Sequence, residues 1–215
     1  MAHFKAFKSA VSAALCLLGI GGAQAALFDR GGGLIYDSDF NITWLADANY
    51  ARTSGYHADG LMNWGAATAW AAGLVYGGYS DWRLPTALNE DLSWPCNGYN
   101  CIGSEMGHLF YTELGGTAAS PIPASPHFQN VQFFVYWSGT AYAPNPADGS
   151  AWNFITYSGY QYINLQYAEY YAWAVRDGDV AAPIPEPETY AMLLAGLGLL
   201  GFHARRRKQK EAALA

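Results

Sequence analysis

The chain has 215 residues, is rich in Tyr, Trp and Gly, and has a formal net charge of −6 at pH 7. Residues 26–182 are more acidic than the whole, because four arginines and no lysine face fourteen aspartates and glutamates, a net charge of −10. A surface of this sign repels nucleic acid and anionic lipid, so we exclude DNA- and RNA-binding functions.

The first 25 residues have the three parts of a secretory signal. Two lysines form a positive start, residues 10–20 form an apolar core, and Ala-Gln-Ala at residues 23–25 is a small-x-small cleavage site. The apolar core is too short to span a membrane comfortably, which argues against an N-terminal anchor. We therefore predict export, removal of residues 1–25 as a signal peptide, and a mature domain over residues 26–182, long enough for one core.

Short strands and a helix open the mature domain. The segment LFDRGGGLIYDSDFNITWL (27–45) predicts two strands around a triple-glycine turn and a third strand at ITWL. A helix follows, because Asn63 can cap its start and small or apolar residues then recur at helical spacing. We expect Gly77-Gly78 to end it.

The next segments are predicted to be extended and looped. DWRLPT (81–86) is extended, and Thr86 can cap a short helix after it. Cys96 and Cys101 lie five residues apart, which in an exported chain predicts a local disulfide. By the chain-entropy model so small a loop contributes about 2 kcal/mol, so the bridge fixes a loop rather than the fold. A zinc site would need two more ligands.

The rest of the domain begins with a helix and continues with strands. Ser104 can cap a helix that ends at Gly115-Gly116, and glycine-bearing turns then separate aromatic, strand-like runs up to residue 179. Helices therefore cluster in the first half and strands in the second. We predict an α+β fold with two or three short helices and a C-terminal antiparallel sheet.

Six blocks occur in an order that resembles the Lcl C-terminal domain family, and DWRLPT and the late Ala-Val-Arg are the most specific of them. The blocks are TWLADANYA (43–51), WAAGL (70–74), GGYSDWRLPT (77–86), SEMGHLFYTELG (104–115), YWSGT (136–140) and AWAVRDGD (172–179). The resemblance implies a C-type-lectin-like fold on an exported protein, a link to adhesion in some members, and no established catalytic activity.

Residues 183–215 have three ordered elements of their own. Pro185-Glu186-Pro187 precedes an apolar run over 190–202, which is shorter than the about 20 residues of a comfortable membrane span, and Arg205-Arg206-Arg207 follows. They resemble the PEP-CTERM sorting signal of Gram-negative bacteria that make exopolysaccharide. The resemblance implies transient inner-membrane anchoring through a C-terminal helix, processing by an exosortase-type membrane protease, and a final place at the cell surface or in the extracellular matrix.

Two of the four mature-domain arginines lie in the most specific blocks. Asp81 and Arg83 lie two apart on an extended segment and face the same side. Arg83 either binds the carboxylate of a ligand, such as a sugar acid, or forms a structural pair with Asp81. The structural pair would fix the following turn, with Trp82 in the core. We favour the structural role for Arg83, and likewise for Arg176.

The metal-binding patterns are incomplete. Residues 37–41 alternate like a calcium loop, but Ile42 and Ala48 stand where an EF-hand needs glycine and glutamate. Glu105 and His108, three apart, have the spacing of half a carboxylate-bridged metal site, but the second such pair is missing. We therefore expect an ordinary pair on a helix surface. The acidic ligands of a calcium–sugar lectin site are missing as well. We predict no metal and no cofactor, with a looser calcium site at residues 37–41 left open as the alternative.

The sequence does not reveal a catalytic group. It shows no nucleophile with a base, and Ser138 lies outside a hydrolase elbow. A glycosidase needs two converging carboxylates, and their convergence stays open at this point. We therefore predict that the protein is not an enzyme and assign no catalytic residue.

Aromatic residues are dense from residue 152 to residue 173. Exposed Tyr and Trp faces suit sugar rings or protein partners, while core packing accounts for the same residues equally well. The predicted ligand contacts are Trp137, Trp152, Tyr157, Tyr160 and Tyr162. We prefer a non-catalytic envelope, matrix or biofilm protein that binds exopolysaccharide or surface proteins. The alternatives are an extracellular polysaccharide hydrolase and a purely structural surface protein.

Overall fold

The computed structural model of the chain describes residues 27–142 and 149–180. The predicted signal peptide and the sorting segment, with its apolar run, lie outside these residues. Within them, no helix has the length and apolarity that crossing a bilayer requires. In chain order the elements are β1 (Leu27–Asp29), β2 (Leu34–Asp37), β3 (Ile42–Leu45), α1 (Tyr50–Thr53), α2 (Trp64–Ala72), α3 (Glu105–His108), a π-helical turn (Leu109–Glu113, the π turn), β4 (Val135–Ala141), β5 (Ser150–Ile155), β6 (Tyr160–Leu165) and β7 (Val175–Asp177).

The first sheet joins the two ends of the domain. Its antiparallel strands follow the order β1-β2-β3-β7, so the last strand pairs with the third, with Ile42 opposite Asp177. The predicted strands at the start of the domain are confirmed. Gly31, Gly32 and Gly33 all have positive φ in the turn between β1 and β2, a conformation that residues with a Cβ rarely adopt.

The second sheet consists of β4, β5 and β6 in antiparallel order. It confirms the predicted strand-rich second half, and the short helices with two antiparallel sheets confirm the α+β class. Tyr160 pairs with Ile155 across a turn that contains Gly159 at positive φ. The C-type-lectin-like topology stays a prediction.

The two longer predicted helices form, with one boundary changed. Asn63 caps α2 by accepting the Ala66 N–H, but the helix ends at Gly73, four residues before the predicted glycine pair. Ser104 caps α3 by accepting the Gly107 N–H, as expected.

The short helix predicted after Thr86 is absent from the described structure, where this segment is bound to tertiary partners instead. The Thr86 N–H donates to the carboxylate of Glu105, and its hydroxyl lies 3.1 Å from that of Thr140 on β4. The segment is therefore fixed in an extended form against the second half of the domain.

Tryptophans dominate the core. Trp44 and Trp173 meet edge to face at 5.3 Å between ring centroids, and the indole N–H of Trp173 donates to the Leu45 carbonyl. Trp137 is also fully buried and donates to the Met62 carbonyl at 2.9 Å. The N–H groups of Trp173 and Trp137 are thus satisfied inside the core, whereas that of Trp44 has no partner among the described residues. Burying rings of this size stabilises the core of the domain.

Candidate functional site

Arg83 holds two distant parts of the domain together. Its guanidinium donates to both oxygens of Glu105, at 2.8 and 2.6 Å, and also to Asp177. Although burial opposes its charge, the hydrogen bonds to these two carboxylates raise the pKa of Arg83 above its ordinary value. The guanidinium is thus occupied by groups of the protein itself, which gives it a structural role.

Arg176 has an equivalent arrangement with Asp81. The guanidinium donates to both Asp81 oxygens, at 2.9 Å each, and lies 4.0 Å from the centre of the Tyr79 ring. The hydrogen bonds from Arg176 lower the pKa of Asp81. Asp81 and Arg83 therefore pair with other residues rather than with each other, and Trp82 between them is buried as predicted.

A cleft of about 730 Å³ opens beside Arg83. Its lining combines apolar side chains such as Phe40 and Leu92 with the carboxylates of Asp39, Glu105 and Asp177. Since Arg83 is already bound to two of these carboxylates, the cleft has an excess of negative charge. This electrostatic environment disfavours sugar acids and other anions.

A buried cluster lies next to the cleft, at the π turn. The prediction that Glu105 and His108 form a surface pair is wrong, because both residues are buried and have different partners. Glu105 binds Arg83, whereas His108 lies 3.1 Å from Glu113. Burial raises the pKa of Glu113, and the nearby carboxylate of Asp37 raises it further.

The π turn explains why Glu113 was missed. His108 and Glu113 are five residues apart, and α-helical spacing brings together residues three or four apart. A π turn closes i→i+5 hydrogen bonds, as Leu114 N–H does here to the Leu109 carbonyl. No sequence signal that we can identify distinguishes this turn from a continued α-helix.

The disulfide loop extends the second sheet. Cys96 and Cys101 form the predicted bridge, with 5.4 Å between their Cα atoms. Between them, Gly98 exchanges two backbone hydrogen bonds with Gln161 of β6, at 2.9 and 2.8 Å. The Gln161 side chain, itself buried, donates to the Cys96 carbonyl. The loop is therefore attached to the edge of the sheet at both backbone and side-chain level.

Three tyrosines form a strip on this edge, which we call the tyrosine strip: Tyr99, Tyr160 and Tyr162. The ring centroids of Tyr99 and Tyr160 lie 4.7 Å apart, and those of Tyr160 and Tyr162 lie 5.9 Å apart. Tyr99 and Tyr162 are each 43% exposed. Tyr160 and Tyr162 were predicted as ligand contacts. Tyr99 was missed, although its position between the two cysteines fixes it beside β6.

The other three predicted contacts lie elsewhere. Trp137 and Trp152 are buried, with 0% and 2% exposure, so their prediction as ligand contacts is corrected: the alternating strand pattern did not show which face of each strand meets the core. Tyr157 is 41% exposed, but its ring lies 5.6 Å from that of Phe133 and outside the strip.

Comparison with known proteins agrees with the two resemblances. The model of the Lcl C-terminal domain matches residues 33–176, and that of the PEP-CTERM protein-sorting motif matches residues 183–208. No curated protein matches the chain. The sorting motif implies export and processing by a membrane exosortase. Because the first match covers well over half of the sequence and includes both DWRLPT and the late Ala-Val-Arg, the chain belongs to the Lcl C-terminal domain family.

Proposed function

We propose that this domain is a non-catalytic binding module that holds neutral sugar units of extracellular polysaccharide on the tyrosine strip. In this role it would connect matrix polysaccharide, and the biofilm built from it, to the envelope of the cell that exports it. The observation that supports the proposal is the exposed strip itself, fixed at a sheet edge by a disulfide.

The strip has the chemistry that sugar rings require. Tyrosine offers an apolar face for the C–H side of a sugar and a hydroxyl for its polar edge. The three rings are not coplanar, since the interplanar angles are 86° and 53°. The rings therefore lie in different planes, which suits a chain of sugar units better than one flat aromatic ligand.

The negative charge of the domain favours neutral over acidic polysaccharide as the ligand. Residues 26–182 have a net formal charge of −10, so a polymer rich in acidic sugars would be repelled at low ionic strength. Arg83 and Arg176 do not offset this repulsion, because both are already paired with carboxylates of the protein.

The same pairing removes Glu105 as a candidate for hydrolytic catalysis. A glycosidase needs one carboxyl group that can donate a proton and a second that acts as nucleophile or base. Both oxygens of Glu105 accept hydrogen bonds from Arg83, and one also accepts the Thr86 N–H. Glu105 therefore stabilises the fold as an ionised carboxylate and has no free oxygen for a catalytic role.

Affinity electrophoresis of the exported protein through gels containing the host's extracellular polysaccharide tests the proposal. We expect neutral polysaccharide to retard the wild-type protein. The double variant Tyr99→Ala/Tyr162→Ala should bind about 5- to 150-fold more weakly, because two stacking contacts of about 0.5–1.5 kcal/mol each are lost.

Tyr167→Ala is the matched control, because Tyr167 is 76% exposed and lies outside the strip. It should bind like wild type. Equal retardation of the double variant and wild type would contradict the proposal, and no retardation of the wild type would favour a purely structural surface protein.

A further inference from the structure

Three buried side chains converge where β2 ends against the π turn. Nε2 of His108 lies 3.1 Å from Oε1 of Glu113 and 3.9 Å from Oδ1 of Asp37. One nitrogen or oxygen from each of the three lies within 4.8 Å of the others. The carboxylate side chains are 0% exposed and that of His108 is 9% exposed, so this is an internal cluster rather than a chance surface group.

Two oxygens of the cluster lack hydrogen bonds. Oδ2 of Asp37 and Oε2 of Glu113 have no partner among residues 27–142 and 149–180, although both are buried. The other Asp37 oxygen accepts the N–H groups of Asp39 and Phe40, which fixes the orientation of the carboxylate. Buried carboxylate oxygens without partners are unfavourable, and a bound cation removes this penalty.

The spacing and chemistry of the donors fit a small divalent ion. Ligand atoms bonded at about 2.0–2.1 Å to a tetrahedral ion lie about 3.3 Å from one another. The separations of 3.1 and 3.9 Å from Nε2 of His108 lie on either side of this value. Neutral imidazole with carboxylates is a donor set that zinc accepts, and two carboxylate charges balance one dication.

Asp39, which is half exposed, forms the open side of the cluster, towards the cleft. Oδ2 of Asp39 lies 3.8 Å from Nε2 of His108, and the Asp39 side chain is 50% exposed. Asp39 and Phe40 also line the cleft, while the Phe40 ring covers His108 with 4.3 Å between ring centroids. Asp39 therefore lies between the cluster and solvent, where it supplies a fourth ligand group and a third carboxylate.

We propose that Asp37, His108 and Glu113 bind one divalent transition-metal ion, zinc or manganese, with Asp39 at the open side. The ion fastens the turn between β2 and β3 to the π turn. This site is independent of the tyrosine strip, so its failure and that of the polysaccharide proposal are separate outcomes.

Isothermal titration of the EDTA-treated exported protein with Zn²⁺ or Mn²⁺ alone tests the site. We expect one ion per chain for at least one of the two metals, together with a rise in Tm. His108→Gln and Glu113→Gln should each weaken binding by tenfold or more. The control His57→Gln/Asp59→Asn alters an exposed His–Asp pair at 3.0 Å and should leave binding unchanged.

A second measurement works without variants, in case those of the cluster do not fold. At one equivalent, Zn²⁺ should shift, or Mn²⁺ should broaden, the imidazole NMR signals of His108 more than those of the exposed His57 in the wild-type protein. The proposal is overturned if neither ion binds stoichiometrically, if binding survives both cluster variants, or if the His108 signals are unaffected by the ion that binds. Binding of Ca²⁺ alone, with neither transition metal, would also overturn it.

Discussion

Arg176 donates two hydrogen bonds to the carboxylate of Asp81, at 2.9 Å each, across 95 residues of chain. The neighbouring residues form a second pair in the opposite sense, since the Arg83 side chain donates to the carboxylate of Asp177. Between the two pairs, Arg83 and Val175 exchange two backbone hydrogen bonds. The two blocks most specific to the family thus meet and fasten the middle of the domain to its last strand.

Arg83→Met should destabilise the domain by about 2–3 kcal/mol in urea unfolding. The change leaves the Glu105 carboxylate, only 5% exposed, without its cation. The value lies below the about 3–5 kcal/mol of a fully buried pair, because Arg83 is itself 35% exposed.

Two further variants distinguish this cause from general damage. Arg83→Met/Glu105→Gln should be more stable than Arg83→Met alone, since the buried charge is removed. Arg52→Met changes an exposed arginine and should stay within about 0.5 kcal/mol of wild type. A double variant less stable than Arg83→Met would show that the loss does not come from the unpaired carboxylate.

Stability should fall in acid partly through Asp81. Its pKa in the folded protein is lowered by Arg176, so its contribution is present above the ordinary pKa of about 3.9 and is lost as pH falls through the lower folded value. Asp81→Asn should therefore be less stable than wild type at pH 7, by less than about 1 kcal/mol because Asp81 is 56% exposed. Unfolding curves of the two proteins should converge near pH 2, and a difference that grows towards pH 2 would contradict this.

The sequence predicted features that depend on neighbouring residues. The caps at Asn63 and Ser104 and the Cys96–Cys101 bridge are local patterns, and all three form. The features it missed depend on long-range contacts. The helix after Thr86 is replaced by bonds to Glu105, and the burial of Trp137 depends on which face of β4 meets the core.

Two of the three residues in the tyrosine strip were predicted, and the third was missed because it depends on a long-range contact. Tyr160 and Tyr162 follow from strand alternation, whereas Tyr99 reaches them through the pairing of Gly98 with Gln161, 63 residues along the chain. The buried cluster at the π turn was missed because the five-residue spacing of His108 and Glu113 is typical of neither an α-helix nor a β-strand.

Two glycines in helices should respond oppositely to alanine. At Gly107 a Cβ would overlap the Cys101 carbonyl oxygen, so Gly107→Ala should cost about 1–3 kcal/mol or more. At Gly65 the nearest atom to a Cβ is 3.7 Å away, so Gly65→Ala should stabilise by about 0.4–1 kcal/mol. Thermal unfolding measures both, and a Gly107→Ala protein with unchanged Tm would contradict the described packing of α3 against the disulfide loop.

Removing the disulfide should affect binding more than folding. Cys96→Ala/Cys101→Ala should cost about 2 kcal/mol by the chain-entropy model and leave the fold intact by circular dichroism. Polysaccharide binding should fall further than this loss explains, because the loop that positions Tyr99 is released. Full binding by the folded variant would show that the loop does not position the strip.

Hydroxyl-radical footprinting of the exported protein, with and without its host's neutral polysaccharide, tests the central claim most directly. The polysaccharide should protect Tyr99, Tyr160 and Tyr162 from oxidation and leave the exposed Tyr56 and Tyr167 unchanged. Retention of the protein on the polysaccharide with unaltered labelling of all three strip tyrosines would contradict the account.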